Sequence, residues 1–227
     1  MNSKKIIVAL DSSDLKKTVK IAKKLKKEVF AFKIGYEFFL NHGISGYNKI
    51  KTISPNIFLD LKLHDIPNTV KKGMQAIYKM RPLLTTIHIS GGDNMISSSL
   101  INRKNMKILG VSILTSLDEK QTYKYYNEKS IKNLVIKFVK EAKKLNLDGI
   151  VCSPKEIKYI REKIGNNFII VTPGIRLDKS NKKDDQKRIM TPEEAIKMGA
   201  NYLVIGRPIL ESVNPLQKLK EINKSLN

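Results

Sequence analysis

The sequence predicts an α/β protein folded as a single (β/α)8 TIM barrel over residues 1–227. Three observations carry that expectation. Short apolar runs alternate with amphipathic stretches from end to end, the runs number eight, and the polar residues that close them form a dense set of charges. The runs are KIIVALD (5–11), VFAFKIG (29–35), IFLDLK (57–62), LLTTIHI (83–89), KILGVSIL (107–114), GIVCS (149–153), FIIVTP (168–173) and YLVIGR (202–207). Each is rich in β-branched or aromatic residues and is closed by a polar residue or a Gly/Pro signal.

The intervening stretches read as helices. Ser13 or Asp14 is placed to cap a helix running to about Lys27. Pro67 stands near the start of another that continues through Val70, Met74, Ile77 and Tyr78. Ile131, Leu134, Val135, Phe138 and Ala142 recur at helical spacing. Thr191 and Glu194 form a capping box, with Pro192 at the first helical position and Gly199 closing the helix. A last helix begins at Asn214–Pro215. A doubly wound open sheet is the main alternative, but the turn after the first strand reads DSSDLKK and lacks the Gly-rich mark of that fold. One long irregular stretch, 174–190, reads as a lid.

Composition excludes several classes. Apolar residues make up 41% of the chain, and no run approaches the ~18–20 residues of a membrane span. The apolar stretch Ile6–Leu10 is too short for a signal peptide. A single cysteine, Cys152, rules out an internal disulfide and fits a reducing, cytoplasmic setting; inside GIVCS it reads as a core residue. The net charge of +22 raises a basic nucleic-acid-binding module as an alternative. The excess is lysine, with six arginines in all, and lysines such as Lys16, Lys20, Lys23 and Lys27 follow helical segments without interleaved aromatics. They read as solvated helix faces, so no nucleic-acid partner and no membrane partner is expected.

In a barrel the C-terminal strand ends face the active site. Read in order they bring together Asp11, Lys33, Asp60 with Lys62, His88, Thr115, Ser153, Pro173 followed by Arg176, and Gly206–Arg207. Period two in the third strand turns Asp60 and Lys62 to one face and Leu59 and Leu61 to the other. Lys33 lies one strand away and Asp65 just past the strand end, so four charges are expected in a small volume. Arg176 and Arg207 follow the seventh and eighth strands, where barrels commonly hold a phosphate, and Arg grips phosphate bidentately. Gly206 would let backbone approach the anion. His64 and His88 read as packed, hydrogen-bonded residues.

The segments DLKLHDIPNT (60–69), VALD (8–11), FKIG (32–35), LTS (114–116), TPGIR (172–176), DQKRIMTP (185–192) and VIGRP (204–208) closely resemble the orotidine 5′-phosphate decarboxylase family. The resemblance is collinear from about residue 5 to the C-terminus. It implies a homodimeric barrel without cofactor or metal, with active sites at the dimer interface. It also implies decarboxylation of orotidine 5′-monophosphate to UMP, the last step of de novo pyrimidine synthesis. Carried over by position, Lys62 resembles the proton donor to C6 of the pyrimidine. Asp60 and Lys33 complete the charged network, and Asp65 comes from the other subunit. Asp11 and Lys33 resemble ribose-binding groups, Thr69 a residue reaching across the interface, and Thr115 a contact to the base. Arg176, Gln186, Gly206 and Arg207 resemble the phosphate and lid set. A metal-dependent decarboxylase of a 3-keto-hexulonate phosphate is the nearer rival, sharing the DxKxxD pattern. Two positions depart from the family pattern: Asp184 stands where many members have Gly, and Ile89 replaces a small residue in HISGG (88–92).

Overall fold

A computed structural model describes residues 4–101, 103–176 and 190–226. Among them, eight parallel strands close into a barrel in chain order: β1 (Ile6–Ala9), β2 (Ala31–Ile34), β3 (Ile57–Leu63), β4 (Leu84–His88), β5 (Lys107–Val111), β6 (Gly149–Val151), β7 (Ile169–Thr172) and β8 (Tyr202–Ile205), with β8 pairing back onto β1. The barrel expected from the sequence is the one observed. The strands are shorter than the apolar runs that contain them, so Asp11 stands two residues beyond β1; β3 alone runs past its run, to Leu63.

Strand alternation divides the core in two. Ile6 and Val8 pack outward with the helices, whereas Ile7 and Ala9 fill the interior. The same alternation separates Phe32 from Ala31, Leu59 from Phe58, and Leu203 from Val204. Each large aliphatic or aromatic side chain so buried contributes about 1.5–3 kcal/mol. The interior is filled by Ile, Val, Ala, Leu and Phe.

Ten α-helices are found among the described residues. α1 (Leu15–Leu25) is capped by Asp14, whose carboxylate accepts from the Lys17 N–H at 2.9 Å. α2 (Tyr36–Ile53) is kinked at Gly43, where φ is +55°. α3 (Pro67–Met80) begins at Pro67, followed by α4 (Asp93–Ser99), α5 (Glu119–Tyr126), α6 (Ile131–Lys144) and α7 (Ile157–Ile164). α8 (Pro192–Lys197) carries the Thr191/Glu194 capping box, and Gly199 beyond it has φ +107°. α9 (Arg207–Leu210) and α10 (Pro215–Ser225) complete the set. On α6 the buried residues are Leu134, Val135, Val139 and Ala142, while Lys137, Lys140, Lys143 and Lys144 are exposed. No helix among the described residues is long and apolar enough to cross a membrane.

Two sequence features find their place in the packing. Cys152 is buried, and burial pushes its thiol well above the usual range, as a core residue requires. Ile89 is buried against Gly110, where an added Cβ would lie 2.6 Å from the Ile89 side chain. The missing side chain on β5 makes the space that the unusual isoleucine occupies.

Candidate active site

The ends of β1, β2 and β3 bring Asp11, Lys33, Asp60 and Lys62 into one alternating chain of charge. Lys33 Nζ lies 3.1 and 3.0 Å from the two carboxylate oxygens of Asp11. Its distance to Asp60 Oδ2 is 3.9 Å, so Asp11 is its principal partner. Lys62 Nζ donates to the same Asp60 Oδ2 at 2.9 Å. Asp60 and Lys33 are buried, 6% and 9% exposed. A lone charge so buried costs several kcal/mol, and alternation offsets that by giving every buried charge an opposite neighbour. Gly35 is part of this arrangement: a Cβ there would come within 2.8 Å of Asp11 Oδ1 and 2.9 Å of Lys33 Nζ.

Simple strand alternation does not describe the end of β3. Leu59 pairs with Thr85, but the next pair is Leu63 with Ile87, so four steps along β3 answer two along β4. Within this bulge Lys62 takes φ +44°, a left-handed conformation that costs a non-glycine residue on the order of 1 kcal/mol or more. Neighbouring hydroxyls hold it. Thr85 Oγ1 donates to the Leu59 carbonyl at 2.9 Å, and Tyr36 Oη donates to the Leu61 carbonyl at 2.7 Å. Thr86 Oγ1 donates to Asp60 Oδ1 at 2.9 Å and accepts from the Lys62 N–H at 2.9 Å. The Lys62 ammonium also lies 5.9 Å from the centre of the Tyr36 ring.

These groups open on a cavity of about 670 Å³. Asp11, Lys33, Asp60, Lys62, Thr115, Arg176, Gly206 and Arg207 all line it, so eight of the residues singled out in the sequence meet in one place. Cations of the β3 end and of the β7–β8 ends therefore face a single space, an arrangement suited to a ligand with two separated anionic groups. At Gly206 an added Cβ would approach Ala9 no closer than 3.4 Å, so crowding within the protein does not require glycine there. The stretch 174–190 is described only at its two ends, where Ile175 and Met190 form a parallel bridge and the Arg176 N–H donates to the Met190 carbonyl at 3.0 Å. Gln186 and Asp184, and with them the lid, lie outside the described residues.

Asp65 and Thr69 do not line the cavity. They belong to an exposed ridge, 64–69, in which Asp65 Oδ1 accepts from the Ile66 N–H at 2.6 Å. Of the four charges expected together around β3, three share the site, Asp11 joins them as the fourth, and Asp65 is exposed and outside the cavity lining. His64 and His88 are ring neighbours with centroids 5.3 Å apart. Thr86, Tyr36 and Gly35 are the site residues that sequence reading missed. The signal for Thr86 was two threonines inside an apolar run, LLTTIHI, whose meaning depends on the register of the adjacent strand.

Residues 4–222 match the family model described as the orotidine 5′-phosphate decarboxylase / HUMPS family. The chain is 44% identical over 223 residues to the orotidine 5′-phosphate decarboxylase of Wolbachia pipientis subsp. Culex pipiens, with 97% of this chain and 98% of the relative covered. It is 46% identical over 227 residues to the enzyme of that name from Wigglesworthia glossinidia brevipalpis, covering 98% and 97%. The crystal structure of orotidine 5′-phosphate decarboxylase from Lactobacillus acidophilus is similar with a TM-score of 0.84 at 36% identity, covering 99% of each chain.

Proposed function

The chain belongs to the orotidine 5′-phosphate decarboxylase / HUMPS family, and we propose that its cavity takes orotidine 5′-monophosphate and converts it to UMP. The observation that carries this reading is the Lys62–Asp60 pair on the cavity wall, a buried carboxylate and a partly exposed ammonium 2.9 Å apart. In the reaction the bond from C6 to the carboxylate breaks and leaves its electron pair on C6. Carbon dioxide departs, and the Lys62 ammonium gives a proton to C6. The neutral amine then regains a proton from water.

The C6 carbanion has little resonance delocalisation, so charge fixed before the reaction is what the protein supplies. With the substrate carboxylate near Asp60, two like charges ~4 Å apart repel by roughly 4 kcal/mol at an effective dielectric near 20. Lys62 offsets part of that in the bound substrate. As carbon dioxide leaves, the repulsion falls and the attraction between ammonium and carbanion grows, which is binding gained on the way to the transition state. Asp11 and Lys33 hold the ribose and Thr115 the base in this reading. Arg176, Arg207, Gln186 and the Gly206 backbone take the phosphate.

A second copy of the chain completes the site. The exposure of the 64–69 ridge supports this, because Asp65 and Thr69 are free to reach a neighbour. Exposed apolar side chains support it too: Leu40 and Ile44 of α2 are 78% and 58% exposed, and Ile66 in the ridge is 67% exposed. Homodimerisation would cover them.

The test is an absorbance assay on orotidine 5′-monophosphate with wild-type protein and Lys62→Ala. Wild type should turn over, and the variant should lose decarboxylation by at least ~10⁴-fold while still binding UMP. Substantial turnover by Lys62→Ala would remove Lys62 as the proton donor. Absence of wild-type turnover, together with chelator-sensitive activity on a 3-keto-hexulonate phosphate, would favour the metal-dependent member of the family instead.

A further inference from the structure

We propose that Thr86 is a positioning residue for the Lys62–Asp60 pair, one hydroxyl setting both the carboxylate and the strained backbone of the proton donor. The proposal rests on the decarboxylase reading for its kinetic consequence, but its geometry stands apart from it.

Thr86 is fully buried in β4. A threonine hydroxyl has one proton to give and lone pairs to accept with. The Lys62 N–H, which can only donate, points at Oγ1 from 2.9 Å. The hydroxyl proton is therefore committed to Asp60 Oδ1, 2.9 Å away. That bond fixes the rotation of the Asp60 carboxylate and leaves Oδ2 to face Lys62 Nζ at 2.9 Å and Lys33 Nζ at 3.9 Å. At the other end, the bulge removes Lys62 from the regular ladder, since no β3–β4 pair falls between Leu59 and Leu63. Its N–H needs a partner that no strand carbonyl supplies, and the Thr86 oxygen is that partner.

A buried hydroxyl in an apolar strand costs stability unless it is hydrogen-bonded. Valine would fill the same volume in β4 without that cost. The hydroxyl is thus explained by what it holds: the carboxylate beside the reacting group and the backbone that carries the ammonium. Lys62 is the only described residue of a strand with positive φ, and Thr86 bonds directly to its main chain.

The experiment compares wild type, Thr86→Val and Thr86→Ser. Thr86→Val should lower kcat by ~10–100-fold with KM for orotidine 5′-monophosphate and UMP affinity changed less than about threefold. Thr86→Ser, which keeps the hydroxyl, should stay within about threefold of wild type. A folded Thr86→Val enzyme with wild-type kcat overturns the proposal, as does a Thr86→Ser enzyme impaired as severely as Thr86→Val. Should Thr86→Val fail to fold, Thr86→Cys replaces it: a weak donor of similar size should lose about tenfold, and equal kcat for Cys and Ser variants overturns the proposal. A wild-type protein that does not turn over orotidine 5′-monophosphate sinks the decarboxylase reading instead. In that case hydrogen exchange at the Lys62 main-chain amide, followed by NMR, carries the test. It should be at least about tenfold faster in the folded variant lacking the threonine hydroxyl than in wild type, and identical rates overturn the positioning role.

Discussion

His88 ends β4 with its ring half-buried and 5.3 Å from that of His64. Burial pushes its pKa down to about 4, helped by the positive fields of His64 and Lys62 and opposed by Asp60. At neutral pH the imidazole is uncharged, as suits a site already crowded with ammonium groups. Between about pH 6.5 and pH 4 the unfolded chain binds a proton at this position that the native protein does not, so stability falls as pH falls through that window. Solvent screening at this half-buried ring reduces the loss from the residue by pH 5 to on the order of 1 kcal/mol. His88→Gln should therefore show a smaller drop in urea midpoint between pH 7 and pH 5 than wild type. Equal drops would mean that His88 titrates normally in the folded protein. Single residues were legible in the sequence where chemistry alone marks them: Asp60, Lys62, Arg176 and Arg207 stand out as charges at the ends of apolar strands. Thr86 and Gly35 were not, because a hydroxyl or a missing side chain acquires meaning only from the atoms it faces.

Elements followed the same division. The strands were legible because each is a short apolar run closed by a polar or Gly/Pro signal, and α1, α6, α8 and α10 because their caps or apolar spacing are local. α2 was not delimited: Gly43 breaks its periodicity with φ +55°, and its amphipathic pattern is weak across the kink. The β3 bulge was invisible, since an irregularity of register belongs to two strands at once. The β7 and β8 ends, by contrast, deliver Arg176 and Arg207 to the cavity as their positions in the sequence required. Arg207→Ala should lower kcat/KM by about 10²–10⁴-fold with the thermal midpoint unchanged, because an exposed arginine contributes little to the core. An effect below about threefold would detach Arg207 from the phosphate.

At the scale of the whole molecule, the barrel is incomplete as a catalyst in the proposed reading until a second copy supplies Asp65. In a two-fold dimer that supply would be reciprocal. Mixing Lys62→Ala with Asp65→Ala subunits, each inactive alone, should regenerate one complete site per heterodimer, about a quarter of wild-type activity in a random equal mixture. No recovery after confirmed subunit exchange would place Asp65 in its own chain's chemistry. The charge of +22 acts at this scale as well. Lysines such as Lys16, Lys20, Lys23, Lys137 and Lys140 lie on exposed helix faces and add to a field that draws anions from a distance.

The bridge between Ile175 and Met190 joins the two ends of the 177–189 stretch before that stretch begins. Backbone pairing of this kind does not depend on which side chains the paired residues carry. The main chain of Arg176 is thus held by the Met190 carbonyl, and the cation that follows β7 keeps its address on the cavity wall whatever stands at position 190. Met190→Leu should therefore leave substrate affinity within about threefold of wild type, whereas Arg176→Pro would remove the N–H that makes the bond.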